Sequence, residues 1–258
     1  MIRNAKPSDK SQVLNFCQNT FSWGDYVEHV WDYWLNENLF FVYEKQFPVG
    51  ICHGFFSKNQ IWIEGIRVDP NFRKQKIASE LVNHAESIGQ KNGALFSLML
   101  IDVENLTSLS MAKSLKYDIL ETWNFYSLEP KENSNSNVMF AQSFDESLYP
   151  YYVKSWRWLP IDSPTISELV NQNKIIQSKI DGKFSTAIIS DSEHFDNTLI
   201  ITLFSGSEKS SLEIILFLQN YAKQNNYTRI QILTKEELFN FEFLEHKLSF
   251  HLLRKNLV

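Results

Sequence analysis

Residues 61–81 read IWIEGIRVDPNFRKQKIASEL, and the reading of this stretch decides the fold. Ile61 to Val68 reads as a strand, and Asp69-Pro70-Asn71 as the turn that ends it. Arg73, Lys74 and Lys76 then place three cations within four residues. A helix follows, with Ala78, Leu81, Val82, Ala85 and Ile88 on one stripe, spaced three and four apart. A helix start offers unpaired backbone amides and the positive end of a dipole. Such a place suits an anion, above all a phosphate or pyrophosphate, just ahead of Ile77. The plainer alternative is a solvated basic turn.

Outward from this stretch the first half reads as a mixed α/β pattern. Ile2 to Ala5 is a short strand, and Pro7-Ser8-Asp9 opens a helix carrying Val13, Leu14, Phe16 and Cys17. Tyr26 to Leu35 reads as a second helix, and Leu39 to Tyr43 and Val49 to Phe56 as two strands. After the central helix, Gly93 is a stop and Ala94 to Ile101 an apolar strand. Asn105 to Lys116 fits a helix and Ile119 to Leu128 a last strand.

The segment Lys131 to Asn137, KENSNSN, is polar and reads as a linker. It predicts domains at 1–132 and 138–258. The second half repeats the pattern of the first. An offset of 134 brings Leu81 onto Ile215, Val82 onto Leu216, Phe96 onto Ile230 and Leu98 onto Ile232. Leu199 to Phe204 then matches the strand at Ile61, and Lys174 to Ile189 reads as a hairpin around Asp181-Gly182. Two copies of one α/β unit are expected.

Composition narrows the classes. The chain has 258 residues, 43% hydrophobic and 21% charged, which excludes a disordered chain. The net charge of −5 argues against broad nucleic-acid binding. No apolar run approaches the ~20 residues needed to cross a bilayer, so no membrane association is expected. No secretory signal is visible at the first residues. Cys17 and Cys52 cannot make a disulfide scaffold or a four-cysteine zinc site, and are expected as reduced thiols in a cytoplasmic protein.

Three motifs resemble the GNAT superfamily of N-acetyltransferases. Val68, Pro70, Arg73, Ile77 and Ala78 fit its acyl-CoA loop, V-x-P-x-x-R-x-x-x-I-A. The opening IRNAKPSD resembles its first strand and turn. Asn105, Ser108 and then Leu115, Lys116 and Tyr117 resemble its N-x-x-S/A-x(6)-L-G-F ending. The resemblance covers residues 1 to about 128. It implies an α/β (α+β) fold: two GNAT-like mixed-sheet domains with splayed central strands, the first binding acetyl-CoA and catalytic, the second degenerate. It implies that the amides of Arg73, Lys74, Gln75, Lys76, Ile77 and Ala78 hold the pyrophosphate. It further implies that the backbone around Ile66, Arg67 and Val68 pairs with the pantetheine arm, with Asn105 and Ser108 also at the cofactor. Two departures stand out, since Lys76 and Lys116 occupy positions where the family usually has Gly. A tyrosine general acid is also missing, its place being taken by Ala112.

The implied reaction is attack of a neutral amine on an acetyl thioester. An amine is mostly cationic at neutral pH, so a carboxylate must attract it and accept its proton, directly or through water. Glu64, on the strand face of Trp62 and Ile66, is the candidate; its alternative is a surface carboxylate paired with Arg67 or another cation. Trp23 and Tyr26 are candidate substrate contacts, although Tyr26, Val30 and Trp34 also fit a core stripe. His53 is expected as a satisfied structural histidine. The 134 offset puts Ser207-Glu208-Lys209-Ser210 under the basic turn and Thr198 under Glu64, so the second copy is expected not to bind CoA. Trp156, Arg157 and Trp158 are expected to pack at the domain interface rather than touch substrate, the alternative being the lining of an inter-domain cleft. The expected activity is acetyl-CoA-dependent N-acetylation of a small-molecule primary amine, by a monomer or homodimer with no metal. The alternatives are a protein or peptide N-acetyltransferase and a non-catalytic acyl-CoA-binding module.

Overall fold

A computed structural model describes residues 1–18, 20, 24–133, 136–142, 144, 150–238, 241 and 243–258. The chain divides into two compact units, Met1–Leu120 with Leu252–Val258, and Glu121–His251. The first boundary lies ahead of the expected linker, and the last seven residues belong to the first unit rather than the second. Among the described residues, no helix is long and apolar enough to cross a membrane.

In the first unit, β1 (Ile2–Asn4) leads through a 3-10 turn at Pro7–Asp9 into α1 (Lys10–Cys17). Then follow α2 (Val27–Asn36), β2 (Phe40–Glu44), β3 (Pro48–Ser57) and β4 (Gln60–Val68). A second 3-10 turn (Pro70–Phe72) precedes α3 (Ile77–Lys91), β5 (Phe96–Asp102) and α4 (Leu106–Ser114). The sheet runs β1-β2-β3-β4-β5, antiparallel except between β4 and β5. The closing residues of a strand at Glu245–Asn256 lie beside β5. The predicted α3 stripe is the face that packs: Leu81, Val82 and Ala85 are buried with Ile61, Ile63, Met99 and Leu253. The opposite face of the sheet is covered by α1 and α2, whose Val13, Val30, Trp31 and Trp34 close over Phe40, Val42 and Ile51.

The second unit takes in most of β6 (Asp118–Leu128), then β7 (Met139–Phe140), β8 (Tyr151–Lys154), β9 (Arg157–Pro160) and α5 (Ser163–Asn171). It continues with β10 (Ile175–Ile180), β11 (Lys183–Asp191), β12 (Thr198–Phe204), α6 (Glu208–Gln224), β13 (Arg229–Thr234) and β14 (Glu245–Asn256). Its strand order is β14-β6-β13-β12-β11-β10-β7, with β8 and β9 as a separate hairpin. The expected Asp181-Gly182 turn closes the β10–β11 hairpin, both residues having positive φ (51° and 78°), as a two-residue type I′ turn needs. Trp158 is buried edge-on to Trp123, and Trp156 packs on Phe125 and Phe250, all within this unit.

The repeat holds, with a corrected offset. Buried positions 81, 82, 85, 86 and 89 of α3 match 214, 215, 218, 219 and 222 of α6, an offset of 133. Parallel pairing matches Ile61↔Ser97 with Leu199↔Ile230, an offset of 138 for the strand before the helix. For β5 the 134 offset is wrong by one, which turns each aligned residue to the wrong face; for β4 it is wrong by four, which keeps the face but moves the partner. Glu64 therefore overlies Thr202, not Thr198. The change of five between the two offsets is the loop: residues 69–76 join β4 to α3, but only residues 205–207 join β12 to α6.

Lys116 sits where α4 ends, at φ 67°. The amide of Tyr117 donates to Ala112 O at 3.0 Å and that of Lys116 to Lys113 O at 3.0 Å, a Schellman closure. Its left-handed residue is usually Gly, because a Cβ there costs about 1 kcal/mol. Lys116→Gly is expected to stabilise the protein by roughly 0.5–1 kcal/mol, read as a higher urea midpoint with unchanged slope.

Candidate active site

The site is built where β4 and β5 part company. They pair only from Gln60↔Phe96 to Ile63↔Met99, although β4 continues to Val68 and β5 to Asp102. Beyond Ile63 the β5-facing backbone of β4 is left off that ladder. In the second unit β12 and β13 stay paired from Thr198↔Arg229 to Leu203↔Thr234, so the expected splay is a feature of the first unit.

A bulge falls just beyond the parting point. On β3 two steps run from Ile51 to His53, while on β4 three run from Arg67 to Glu64. Gly65 takes up the extra residue at φ 64°, a left-handed conformation that glycine adopts without strain. Its missing side chain is filled by Trp34, whose ring carbon Cη2 would lie 2.3 Å from a Cβ.

The bulge puts Glu64 opposite His53. His53 Nδ1 lies 2.9 Å from Glu64 Oε1, and Trp62 Nε1 donates to Glu64 Oε2 at 3.1 Å. The other ring nitrogen, Nε2, lies 3.2 Å from Glu37 Oε2. The imidazole is fully buried and stacks on Trp34, centroids 4.9 Å apart and planes 5° off parallel. Glu37 caps the end of α2 and its side chain is 25% exposed. Arg67 pairs with Asp25 (Nε–Oδ2 2.7 Å) and lies over the Tyr26 ring. Burial works against the Arg67 charge, but the Tyr26 oxygen and the Asp25 carboxylate outweigh it and hold the guanidinium above its ordinary range. Tyr26 is itself pushed up, chiefly by burial. Trp34 is core, as the stripe reading allows, Trp31 is buried with it, and Tyr26 packs edge-on to Trp34. Trp23 lies outside the described residues.

The basic turn is laid out as the sequence suggests. Asp69 accepts from the amide of Asn71 at 2.9 Å and fixes the turn. Arg73, Lys74, Gln75 and Lys76 are all exposed. Lys74 and Lys76 have positive φ (62° and 61°), so Lys76 takes in this chain the conformation for which Gly is suited. Lys76, the N-cap residue of α3, makes no side-chain cap. The first helical amides, of Ile77 and Ala78, have no partner within their helix and follow three cations in the chain, as an anion site requires. Ile66 and Val68 pack partly on the core below. Asn105 caps α4 by accepting from the amide of Ser108 at 3.1 Å, so these two residues serve their helix.

The second unit has filled the corresponding place. Ser207 caps α6 through the amide of Ser210, and Ser185, Ser205, Ser207, Ser210 and Ser211 form a hydroxyl network there. Gly206 lies so close to β11 that a Cβ would meet Phe184 O at 1.8 Å. Both cysteines are free and buried. Burial pushes the Cys17 thiol up to about 12 and Cys52 higher still, so neither is a nucleophile at neutral pH. Sequence reasoning missed the Glu37–His53–Glu64 constellation, because only the bulge sets the register that joins it.

Residues 11–117 match the model of the acetyltransferase (GNAT) family. No curated protein matches the sequence. Among solved structures, the whole chain resembles a Thermoplasma acidophilum protein described as an acetyltransferase (15% identity, 99% of each chain, TM-score 0.66). It also resembles GCN5-related N-acetyltransferases from Sphaerobacter thermophilus (12% identity, 99% of this chain and 95% of that one, TM-score 0.66) and Kribbella flavida (10% identity, 100% and 71%, TM-score 0.51). At these identities the likeness is one of fold. Residues 11–117 thus match the acetyltransferase (GNAT) family model, and the chain shares the fold of these solved acetyltransferases.

Proposed function

We propose that the first unit transfers acetyl from acetyl-CoA to the primary amine of a small molecule. The observation that carries this reading is the coincidence of two unfilled sets of backbone donors. One is the stretch of β4 off the β5 ladder, and the other is the start of α3, whose N-cap residue makes no side-chain cap, after Arg73, Lys74 and Lys76. A pantetheine arm with a pyrophosphate asks for both, an added strand and an anion site. The amides of Ile77 and Ala78 with the three cations would hold the phosphates, and the backbone of Ile66 to Val68 the arm. Bound acetyl-CoA supplies the activated thioester. Glu64 attracts the ammonium form of the acceptor and takes up its proton, directly or through a water, which leaves the amine free to attack. The cleft holds amine and thioester together, which supplies much of the rate. A thiolate leaves readily, so the Ala112 position need not supply an acid. The second unit, with its short loop, capped helix and closed β12–β13 pair, acts as scaffold and does not bind CoA.

The test is thiol release from acetyl-CoA across a panel of small amines and peptide N-termini, with Glu64→Gln and Arg73→Glu in parallel. Glu64→Gln is expected to cut kcat by 10² or more with CoA affinity within threefold. Arg73→Glu is expected to weaken CoA binding at least tenfold. Turnover with peptides alone would replace the small-amine reading, and CoA binding without any turnover would leave a binding module.

A further inference from the structure

The sequence leads to an expectation of no metal. Yet among the described residues one group of His, Cys, Asp or Glu side chains is placed to meet a single ion: Glu37, His53 and Glu64, with one ligand atom of each within 4.8 Å of the others. Acidic groups often lie together without an ion, so the cluster alone decides nothing. The deciding observation is on the histidine. Its side chain has no exposure, and its Nε2 is a buried nitrogen without a hydrogen-bond partner. Buried polar atoms are as a rule satisfied, and one that is not calls for an explanation. Glu37 Oε2 lies 3.2 Å from Nε2, close enough for a hydrogen bond but not aligned for one. Two ligands of one ion stand in this relation. A zinc ion sits about 2.0–2.1 Å from each, and a tetrahedral angle sets the pair about 3.3 Å apart, with the ion rather than the oxygen on the axis of the nitrogen lone pair.

The other ring nitrogen is already engaged. Nδ1 lies 2.9 Å from Glu64 Oε1 in a hydrogen bond, and Trp34, stacked 5° off parallel, holds the plane of the ring. A histidine that binds metal through one nitrogen ordinarily has the other held by a carboxylate or carbonyl, which fixes the ring and makes it a better ligand. We propose that Glu37, His53 and Glu64 form a site for one divalent cation of the zinc class: His53 Nε2 and Glu37 bind the ion, and Glu64 orients the imidazole through Nδ1. The imidazole selects the class, since magnesium and calcium take oxygen ligands whereas zinc takes nitrogen and carboxylate together. Water completes the coordination. The ion takes the lone pair of Nε2 and displaces a proton where there is one. Glu37, 25% exposed at the end of α2, is the solvent side of the cluster and gives the ion its way in. One consequence rests on the reading of Glu64 as the proton acceptor. A dication one imidazole away from that carboxylate repels the ammonium form of the acceptor and opposes uptake of its proton, so zinc competes with the amine.

The test of the site needs neither CoA nor amine. The full chain, stripped with EDTA, is dialysed against zinc ion in an excess of magnesium, and bound metal is counted. One zinc per chain is expected, and Glu37→Gln and His53→Gln are each expected to weaken its binding tenfold or more. Absence of bound zinc overturns the inference. So does binding that Glu37→Gln leaves unweakened, which would mark histidines or carboxylates elsewhere. Glu37 is partly exposed, so this variant decides the matter even if His53→Gln does not fold. Acetylated amine is then followed with and without zinc, and a raised KM for the amine, reversed by EDTA, is expected. Zinc bound at this site with an unchanged KM leaves the site standing and removes the role given to Glu64.

Discussion

Gly65→Ala is expected to abolish acetyl transfer and to cost the protein about 2–5 kcal/mol. The backbone there has φ 64°, where a Cβ costs about 1–2 kcal/mol by itself. The methyl would also lie 2.3 Å and 2.7 Å from two carbons of the Trp34 ring. Trp34 cannot retreat, since it is fully buried against Phe40 and His53. Relief must come from the strand, and straightening the bulge would rotate Glu64 away from His53. The effect on kcat should therefore exceed that of a comparable loss of stability elsewhere in the unit. Urea unfolding and thiol release measured on the same sample check this; a variant with wild-type midpoint and turnover would show that the bulge is not needed.

Deleting Leu252–Val258 is expected to unfold the first unit while leaving the second largely intact. Leu252 and Leu253 are 0% and 2% exposed, and each contributes about 1.5–3 kcal/mol of burial. Lys255 Nζ lies 2.5 Å from Glu86 Oε2, and Glu86, 5% exposed, also accepts from Tyr117 Oη at 2.7 Å. Burial raises Tyr117 well above the ordinary phenol range, so it remains a donor and cannot replace the lost cation. Leaving Glu86 without its lysine adds roughly 3 kcal/mol. The total is of the size of a whole domain's stability. Limited proteolysis should cut within Met1–Leu120 and spare Glu121–His251. Lys255→Met serves as the milder control, with a lowered midpoint and a folded first unit.

The central strand, its basic turn and the α3 stripe were legible because their signals are local: apolar period, clustered charge, a Gly stop. The Asp181-Gly182 hairpin was legible for the same reason. The β8–β9 hairpin was not, because its turn residues, Ser155 and Trp156, adopt positive φ without Gly or Asn. Lys76 and Lys116 hid their backbone roles in the same way, and only the resemblance marked those positions. β14, reading EHKLSFHLLRKN, mixes charges into its alternation and becomes a strand through its neighbours. In the site, Glu64 was visible from its strand face. His53 was visible as a residue but not as a partner, because a one-residue bulge decides which side chain on β3 it meets.

The return of Leu252–Val258 to the first unit has a consequence for how the protein is made. A ribosome delivers the amino-terminal unit first, and such a unit ordinarily folds while the rest is still being translated. Here that unit must wait for Glu121–His251 to emerge, on the order of ten seconds at usual elongation rates. During that interval the edge of β5 and the carboxylate of Glu86 lack their partners, so nascent chains are expected to lean on chaperones until Leu252–Val258 emerges.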